Sequence, residues 1–497
     1  MSFFKIPRSL ENGLYFFGNK RTTIDSEKFF DVYEQRIGKV IAKCPISDKI
    51  TVDEIVNFAN ESQKVWGSMT PLERGNILRK AANIIRSHHK EIVEWEVRSN
   101  GKPIREAVLD ISQSADTLDF FAGIAPQALL GNFFPLLNNK QAYTTREPFG
   151  VVGAIGAWNY PFQTAMWKIA PALAAGNAIV YKPSPFSPAS PVLIGEILAA
   201  AGLPPNVYCV IQGEGETGQA LVENKLIRKV SFTGSVATGQ KIQESCARKS
   251  IKPCTLELGG KSALIICKDT SIDNAIAGSI LANFFNQGQV CTNATRVFIH
   301  KDMINTFTQS LLVELDKLIV VGDPLDEKTN VGASINEEHL NKVIGFVESA
   351  KKEGATILRG GFRTKPKNVE SGFYFEPCVI GNVTNEMKVA REEIFGAVML
   401  LISYETEEEA IYHANNTDFG LAAGVFSNDL SKAHRIAQKL EAGTVYINTY
   451  NDCEIHVPFG GVKNSGIGRE NSLSALLSYT QEKTVYINLN SKVDHGF

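Results

Sequence analysis

Three short segments carry the residues whose types and spacing could do chemistry. Phe284-Phe-Asn-Gln-Gly288-Gln-Val-Cys291-Thr-Asn presents a cysteine after a helical stretch and a Gly-Gln turn, with polar residues following. A nucleophilic thiol needs thiolate character and access, and this loop is expected to supply both. Cys209 and Cys267 fall in apolar strands, where a free thiol packs as a small hydrophobe, while Cys44 and Cys378 adjoin prolines in loops. Glu257, in Thr255-Leu-Glu-Leu-Gly259-Gly260, is a carboxylate between two leucines. Desolvation there raises a pKa, as a general base working near neutrality requires; a strand-edge charge facing water is the plainer alternative. Asn159, in Ala157-Trp-Asn-Tyr-Pro161-Phe, ends a strand and can aim its amide into a cleft, or else cap the helix that Pro161 opens.

Two glycine loops compete for a phosphate. Gly213-Glu-Gly215-Glu-Thr-Gly218 has the literal dinucleotide spacing between a strand and a helix, but Glu214 and Glu216 would repel a pyrophosphate. Val230-Ser-Phe-Thr-Gly234-Ser235-Val236-Ala237-Thr238-Gly239 also joins a strand to a helix and has no acid nearby. Its free backbone N–H groups, hydroxyls and helix N-terminus suit a phosphate better. Lys182, at a strand end in Tyr181-Lys-Pro-Ser184, can donate to ribose hydroxyls or stand as a solvated charge.

These residues need a large scaffold. The chain has 497 residues with 51 basic and 53 acidic side chains, 21% charged and 44% hydrophobic. That balance excludes a disordered chain and gives no electrostatic reason to bind nucleic acid or anionic lipid. No run approaches the roughly 18 apolar residues of a membrane span. The opening Met1–Leu10 has no apolar core of a secretory signal, and eight irregularly spaced cysteines are not a disulfide framework. The expectation is a cytoplasmic enzyme with reduced thiols and no metal site.

The first 25 residues read as irregular surface chain. Helical spacing then dominates from about Val52 to Phe121. From Val151 the texture changes to short apolar strands alternating with helices, at Val151–Ile155, Pro161–Ala175, Ala178–Tyr181, Ser190–Ala201, Val207–Ile211, Val230–Phe232 and Leu264–Cys267. Such alternation implies an α/β class with a parallel sheet. A second α/β stretch runs from about Asn293 to Gly466, with strands at Val398–Ile402 and Thr444–Ile447. The tail Lys483–Leu489 alternates like an edge strand, a kind that often pairs with another chain.

Together the segments resemble the NAD(P)-dependent aldehyde dehydrogenase superfamily over nearly the whole chain. The matching motifs, in order, are Trp158-Asn-Tyr-Pro-Phe, Tyr181-Lys-Pro-Ser, Phe232-Thr-Gly-Ser, Leu256-Glu-Leu-Gly-Gly-Lys, Gly288-Gln-Val-Cys, Glu392-Glu-Ile-Phe-Gly and Pro458-Phe-Gly-Gly-Val-Lys-Asn-Ser-Gly-Ile-Gly-Arg-Glu470. The text is most similar to the branch that oxidises betaine aldehyde and 4-trimethylaminobutyraldehyde. The resemblance implies a Rossmann-like cofactor domain (1–131 and 152–258), a catalytic α/β domain (259–470) and a small oligomerisation sheet (132–151 and 471–497) in a homodimer or homotetramer.

It further implies Cys291 as nucleophile, Asn159 with the Cys291 N–H as oxyanion hole, and Glu257 as the base that activates water. Lys182 then resembles the adenosine-ribose ligand, and Gly234, Ser235, Val236, Ala237 and Thr238 the pyrophosphate loop. Glu393 resembles the nicotinamide-ribose ligand and Trp158 a neighbour of the cofactor, while Lys168 and Glu470 match a proton relay. Tyr160, Trp167, Phe285 and Phe459 are implied to face the substrate, three of them (Tyr160, Trp167 and Phe459) as an aromatic box for a trimethylammonium group. Asp110 is implied to add long-range attraction at the tunnel mouth. Tyr160, Trp167 and Phe459 also read as ordinary core aromatics. Pro185 stands where many NAD-preferring relatives carry a Glu, so NAD is expected with NADP left open, and Ala397 replaces a usual proline. Another aldehyde range, or a thiol hydrolase using Cys291 without redox chemistry, is the alternative.

Overall fold

The alternating strands and helices assemble into two largely parallel sheets in the computed structural model, which describes residues 13–493. In the first, Tyr208–Val210, Ala178–Lys182, Val151–Ile155, Ile227–Thr233 and Cys254–Glu257 lie side by side and parallel. Every residue of Val151–Ile155 and Ala178–Lys182 is buried. A sheet covered on both faces demands that, and it explains why these strands read as unbroken apolar runs. Chain order runs outward from Val151–Ile155 in both directions, so it reverses between that strand and Ile227–Thr233. In open α/β sheets such a reversal opens a crevice at the carboxyl ends of the strands, where ligands bind.

The second sheet repeats the plan. Ala263–Ile266 lies at the reversal, with Arg296–His300, Val398–Tyr404 and Cys378–Gly381 on one side and Ala422–Phe426 and Thr444–Ile447 on the other. Two large apolar clusters follow, one around each sheet. The peptide Leu258-Gly-Gly-Lys-Ser262 runs from the last parallel strand of one sheet to the reversal strand of the other, which puts Glu257 at the joint.

Four helices, Lys49–Ser68, Pro71–Ser87, His89–Asn100 and Ile104–Ala128, account for the helical spacing of the first part. The third stops at Gly101 (φ 82°), where a Cβ would sit 2.8 Å from the Ala333 carbonyl oxygen. Only glycine turns the chain so close to that backbone, and the turn delivers Asn100 and Lys102 beneath the crevice.

Two local expectations are corrected, and the tail is an edge strand as read, with its bounds shifted. The early chain is not all irregular surface: Tyr15–Phe17 joins the first sheet antiparallel to Tyr208–Val210 and hairpins with Lys20–Thr22, with Tyr15 and Phe16 fully buried. Three residues are too few to show a period, so only the docking edge reveals the strand. Cys44 and Cys378 are buried in strands rather than loops, because the adjoining prolines occupy strand ends. The tail strand spans Thr480–Asn488 and pairs antiparallel with Lys140–Pro148, flanked by Phe133–Leu136, while the preceding helix Ser472–Ser478 packs into the first core. The opening segment read for a targeting signal, 1–10, lies outside the described residues, as do 11, 12 and 494–497. No helix among the described residues is long and apolar enough to cross a membrane.

Candidate active site

A cleft of about 1640 Å³ runs from the strand reversal of the first sheet toward the joint between the sheets. Cys291, Glu257 and Asn159, drawn from three distant segments, all line it. Cys291 follows the helix Ile272–Phe284 and a tight turn, half-buried at the cleft floor. Thr292, beside it, is anchored through its hydroxyl to Asn451 Oδ1 (2.8 Å) and through its carbonyl to the Tyr450 hydroxyl (2.8 Å). Burial, with Glu257, Glu393 and Cys453 nearby, pushes the Cys291 thiol well above its ordinary value, while the loop leaves it half-buried and open to the cleft.

Glu257 is buried, and neither carboxylate oxygen has a hydrogen-bond partner among the described residues. Burial first, and the Glu470 charge second, hold its pKa far above the carboxylate range, with Lys168 and Arg469 opposing. A strand-edge charge facing water is thus ruled out. Gly460 lies against it: a Cβ there would come within 2.7 Å of Glu257 Oε1. Behind it, Lys168 Nζ donates to Glu470 Oε1 at 2.6 Å, and Ser231 Oγ donates to the same oxygen at 3.2 Å. Both members of the ion pair are fully buried.

Asn159 does not cap the following helix. Tyr160 holds the cap position of Pro161–Ala174 and makes no side-chain cap bond. The Asn159 carboxamide instead donates to the Gln289 carbonyl at 2.9 Å, on the approach to Cys291. The Asn159 backbone carbonyl accepts from Asn100 Nδ2 (2.7 Å) and Asn286 Nδ2 (3.0 Å). An amide so fixed beside a thiol can receive a developing oxyanion without reorganising.

Beyond the thiol, Trp167 and Phe459 form a small apolar cluster with Leu421, against which Cys291 and Cys453 pack. The two rings lie 5.0 Å apart at 53°. Tyr160 and Phe285 also line the cleft. Two expectations change here. The Asp110 carboxylate is buried and ion-paired with Lys102, so its long-range attraction is cancelled close by. The same Lys102 Nζ sits 3.7 Å from the centroid of the Tyr160 ring, which takes up one of its faces. Lys102, Asn100 and Cys453 escaped the sequence reading; no local pattern marks them, and only their approach to Tyr160, Asn159 and Cys291 does.

At the other end, Lys182, Thr233, Gly234, Ser235 and Thr238 line the cleft beside the reversal. Ser235 caps the helix Val236–Lys249, its hydroxyl accepting from the Thr238 N–H at 3.4 Å. Val236 packs against the core and Ala237 is absent from the cleft wall, so the loop presents Gly234, Ser235 and Thr238. Lys182 is buried, its pKa pulled down to about 8 mainly by that burial, and it donates to the Pro183 carbonyl at 3.1 Å. Gly213–Gly218 also reaches the wall, but two strands away from the reversal, on the Lys182 side.

Glu393 lies at the joint, where its carboxylate accepts the Gly260 N–H at 3.0 Å and leaves no space for a Cβ on Gly259. Trp158 lines the wall with its ring edge-on to His339 (5.3 Å) and Phe395 (5.1 Å). A helix N-terminus, a buried lysine, a Thr233 hydroxyl with no partner among the described residues and an accepting carboxylate farther along fit a dinucleotide. Among the described residues no group of three metal-ligating side chains gathers.

Comparison with known proteins agrees with this geometry. The model of the aldehyde dehydrogenase family matches residues 22–485. The chain is 48% identical over 459 residues to 4-trimethylaminobutyraldehyde dehydrogenase of Homo sapiens, covering 92% of each chain. It is 47% identical over 465 residues to the enzyme of that name from Oryzias latipes, covering 93% of this chain and 92% of that one. Among solved structures, a putative aldehyde dehydrogenase from Burkholderia cenocepacia superposes with a TM-score of 0.94 at 34% identity, over 98% of this chain and 99% of that one. Betaine aldehyde dehydrogenase from Staphylococcus aureus in complex with NAD+ superposes at 0.93 and 33% identity, over 97% and 96%.

Proposed function

The chain belongs to the aldehyde dehydrogenase family, and from that premise we propose that it oxidises 4-trimethylaminobutyraldehyde, or a related ω-aminoaldehyde or betaine aldehyde, with NAD. The observation that carries the reading is the meeting of Cys291, Asn159 and the unpartnered Glu257 carboxylate in one cleft, beside the Trp167–Phe459 pair. A quaternary ammonium cannot donate hydrogen bonds and is best held by aromatic faces.

In this reading the Cys291 sulfur adds to the aldehyde carbon as its proton passes to water in the cleft. The former carbonyl oxygen turns to the Asn159 amide and the Cys291 N–H. Losing one such donor costs roughly 10²–10³ in rate. NAD, when bound, supplies the acceptor for the hydride that the thiohemiacetal loses, which leaves a thioester on Cys291. Glu257 then takes a proton from water, the hydroxide adds to the thioester, and the carboxylate product and the free thiol separate. Lys168 and Glu470, paired behind Glu257, would pass the proton onward. Lys182 would hold the adenosine ribose, Gly234 to Thr238 the pyrophosphate, and Glu393 the nicotinamide ribose.

The remaining parts follow the same reading. Residues 1–131 and 152–258 form the cofactor unit and 259–470 the catalytic unit. Residues 132–151 and 471–497 join copies of the chain into a dimer or tetramer, which fits the exposed Phe133 and Tyr486 on the small sheet and Leu137 in its turn. Eight free thiols fit a cytoplasmic setting.

The test is an aldehyde panel followed by NADH absorbance, with NAD and NADP in parallel and an ester assayed without either cofactor. NADH formation highest with trimethylammonium aldehydes is expected. Ester cleavage with no aldehyde-dependent NADH would instead make the protein a thiol hydrolase.

A further inference from the structure

The turn before Cys291 is held in a conformation it would not keep alone. Asn286, Gln287 and Gly288 are consecutive residues with positive φ, at 47°, 54° and 72°. Only the third is a glycine, and a side chain in that region crowds its own backbone. Such a turn persists where its surroundings over-determine it. The Asn286 N–H donates to Glu106 Oε2 at 2.7 Å. Gln287 Nε2 donates to the Ala333 carbonyl at 3.1 Å, and Gly288 lies so close to Gly396 that a Cβ would fall 2.2 Å from its backbone.

The Asn286 side chain then reaches the neighbouring strand end. Its Nδ2 donates to the Asn159 carbonyl (3.0 Å) and to the Gln289 carbonyl (3.3 Å). Asn159 Nδ2 donates to that same Gln289 carbonyl at 2.9 Å. Two carboxamides and two carbonyls thus close a ring that ties Asn159 to the turn carrying Cys291. Glu106 is 2% exposed and Asn286 0%, so water competes for neither bond. Glu106 comes from the helix Ile104–Ala128, a surprising place for a buried acid on packing grounds alone.

We propose that Glu106 and Asn286 are positioning residues for the reaction: Glu106 fixes the strained backbone of Asn286, and the Asn286 carboxamide holds the oxyanion donor Asn159 in register with Cys291. The inference rests on reading Cys291 and Asn159 as nucleophile and oxyanion donor. Lys102, Asp110 and Arg105 are the charged groups that act on Glu106, and burial raises it to about 8. Either protonation state leaves an oxygen for the Asn286 N–H, so the acceptor matters here rather than the charge.

The experiment compares wild type, Glu106→Gln, Glu106→Ala and Asn286→Ala. Three readouts are taken: the first-turnover rate of NADH release, the NAD dissociation constant, and hydrogen exchange of a peptide spanning 285–293. The expected result is a tenfold or greater fall in burst rate for both alanine variants, with the NAD constant within twofold. Exchange of the 285–293 peptide should rise in Glu106→Ala, and Glu106→Gln should keep at least a third of the burst with wild-type exchange. Wild-type exchange and an unchanged burst in Glu106→Ala would overturn the proposal. So would a Glu106→Gln variant as damaged as the alanine one, or loss of NAD binding in step with the burst. A wild type that reduces no NAD with any aldehyde sinks the functional reading instead, and the exchange data still decide whether Glu106 tethers the turn.

Discussion

Lys102 holds its ammonium 3.7 Å from the centre of the Tyr160 ring while pairing with the Asp110 carboxylate, so one buried cation engages two residues expected to attract a cationic substrate. Selectivity for a quaternary ammonium then falls mainly on Trp167 and Phe459.

Trp167→Ala should therefore reduce the advantage of 4-trimethylaminobutyraldehyde over its neutral isostere 5,5-dimethylhexanal. One well-placed ring is worth about 0.5–2 kcal/mol, or roughly 2- to 30-fold in kcat/KM. The two aldehydes are compared in wild type and variant; no cationic advantage in wild type, or an undiminished one in the variant, refutes the cage.

Glu257→Gln should release NADH in a first turnover and then stall, because hydrolysis of the thioester lacks its base. Stopped-flow absorbance separates the burst from the steady state, and loss of both would point to thiol activation instead. The variant also tests burial. A carboxyl whose folded pKa is raised binds its proton more tightly when folded, so it stabilises at low pH and loses that contribution as pH rises through the raised value. Thermal melts should show Glu257→Gln gaining on wild type as pH increases from 5 to 9.

Cys291→Ala should abolish dehydrogenase turnover while leaving the melting temperature and NAD binding near wild type, since one thiol carries the covalent chemistry. Titration calorimetry with NAD and a steady-state assay check this together. Residual turnover above a few per cent of wild type would rule Cys291 out as nucleophile.

NAD should be preferred over NADP even though Pro185, which lines the cleft, places no carboxylate near a ribose 2′-phosphate. Pro185→Glu should lower kcat/KM for NADP more than for NAD by adding that charge. Equal or better use of NADP by wild type would reverse the preference.

Breaking the Lys168–Glu470 pair should cost stability as well as rate. Removing one partner of a fully buried ion pair leaves an uncompensated charge and costs about 3–5 kcal/mol. Denaturant melts of Lys168→Met and of the double variant Lys168→Met/Glu470→Gln measure it, with the double variant expected to recover part of the loss.

Much of this molecule is legible locally. Val151–Ile155 and Ala178–Lys182 read as strands because a sheet buried on both faces needs unbroken apolar runs, and Gly202 and Gly176 end helices because each adopts positive φ. Cys291, Glu257 and Asn159 stand out because each breaks the pattern of its own segment. The short Tyr15–Phe17 strand does not, since three residues carry no periodicity.

What tertiary structure alone decided depends on partners far apart in the chain. Sequence favoured the Gly234 loop on charge alone, whereas strand order places Gly234 at the reversal and Gly213 two strands away. The Cys291 loop reads as able to hold a thiolate, and burial beside Glu257 and Glu393 pushes its thiol above its ordinary value. Asp110 reads as free negative charge until Lys102 is found against it. Glu106 reaches Asn286 across 180 residues and Lys168 reaches Glu470 across 302. Residue type and local spacing reveal which groups can react; desolvation and pairing, which set their charge and aim, arise only when distant segments pack together.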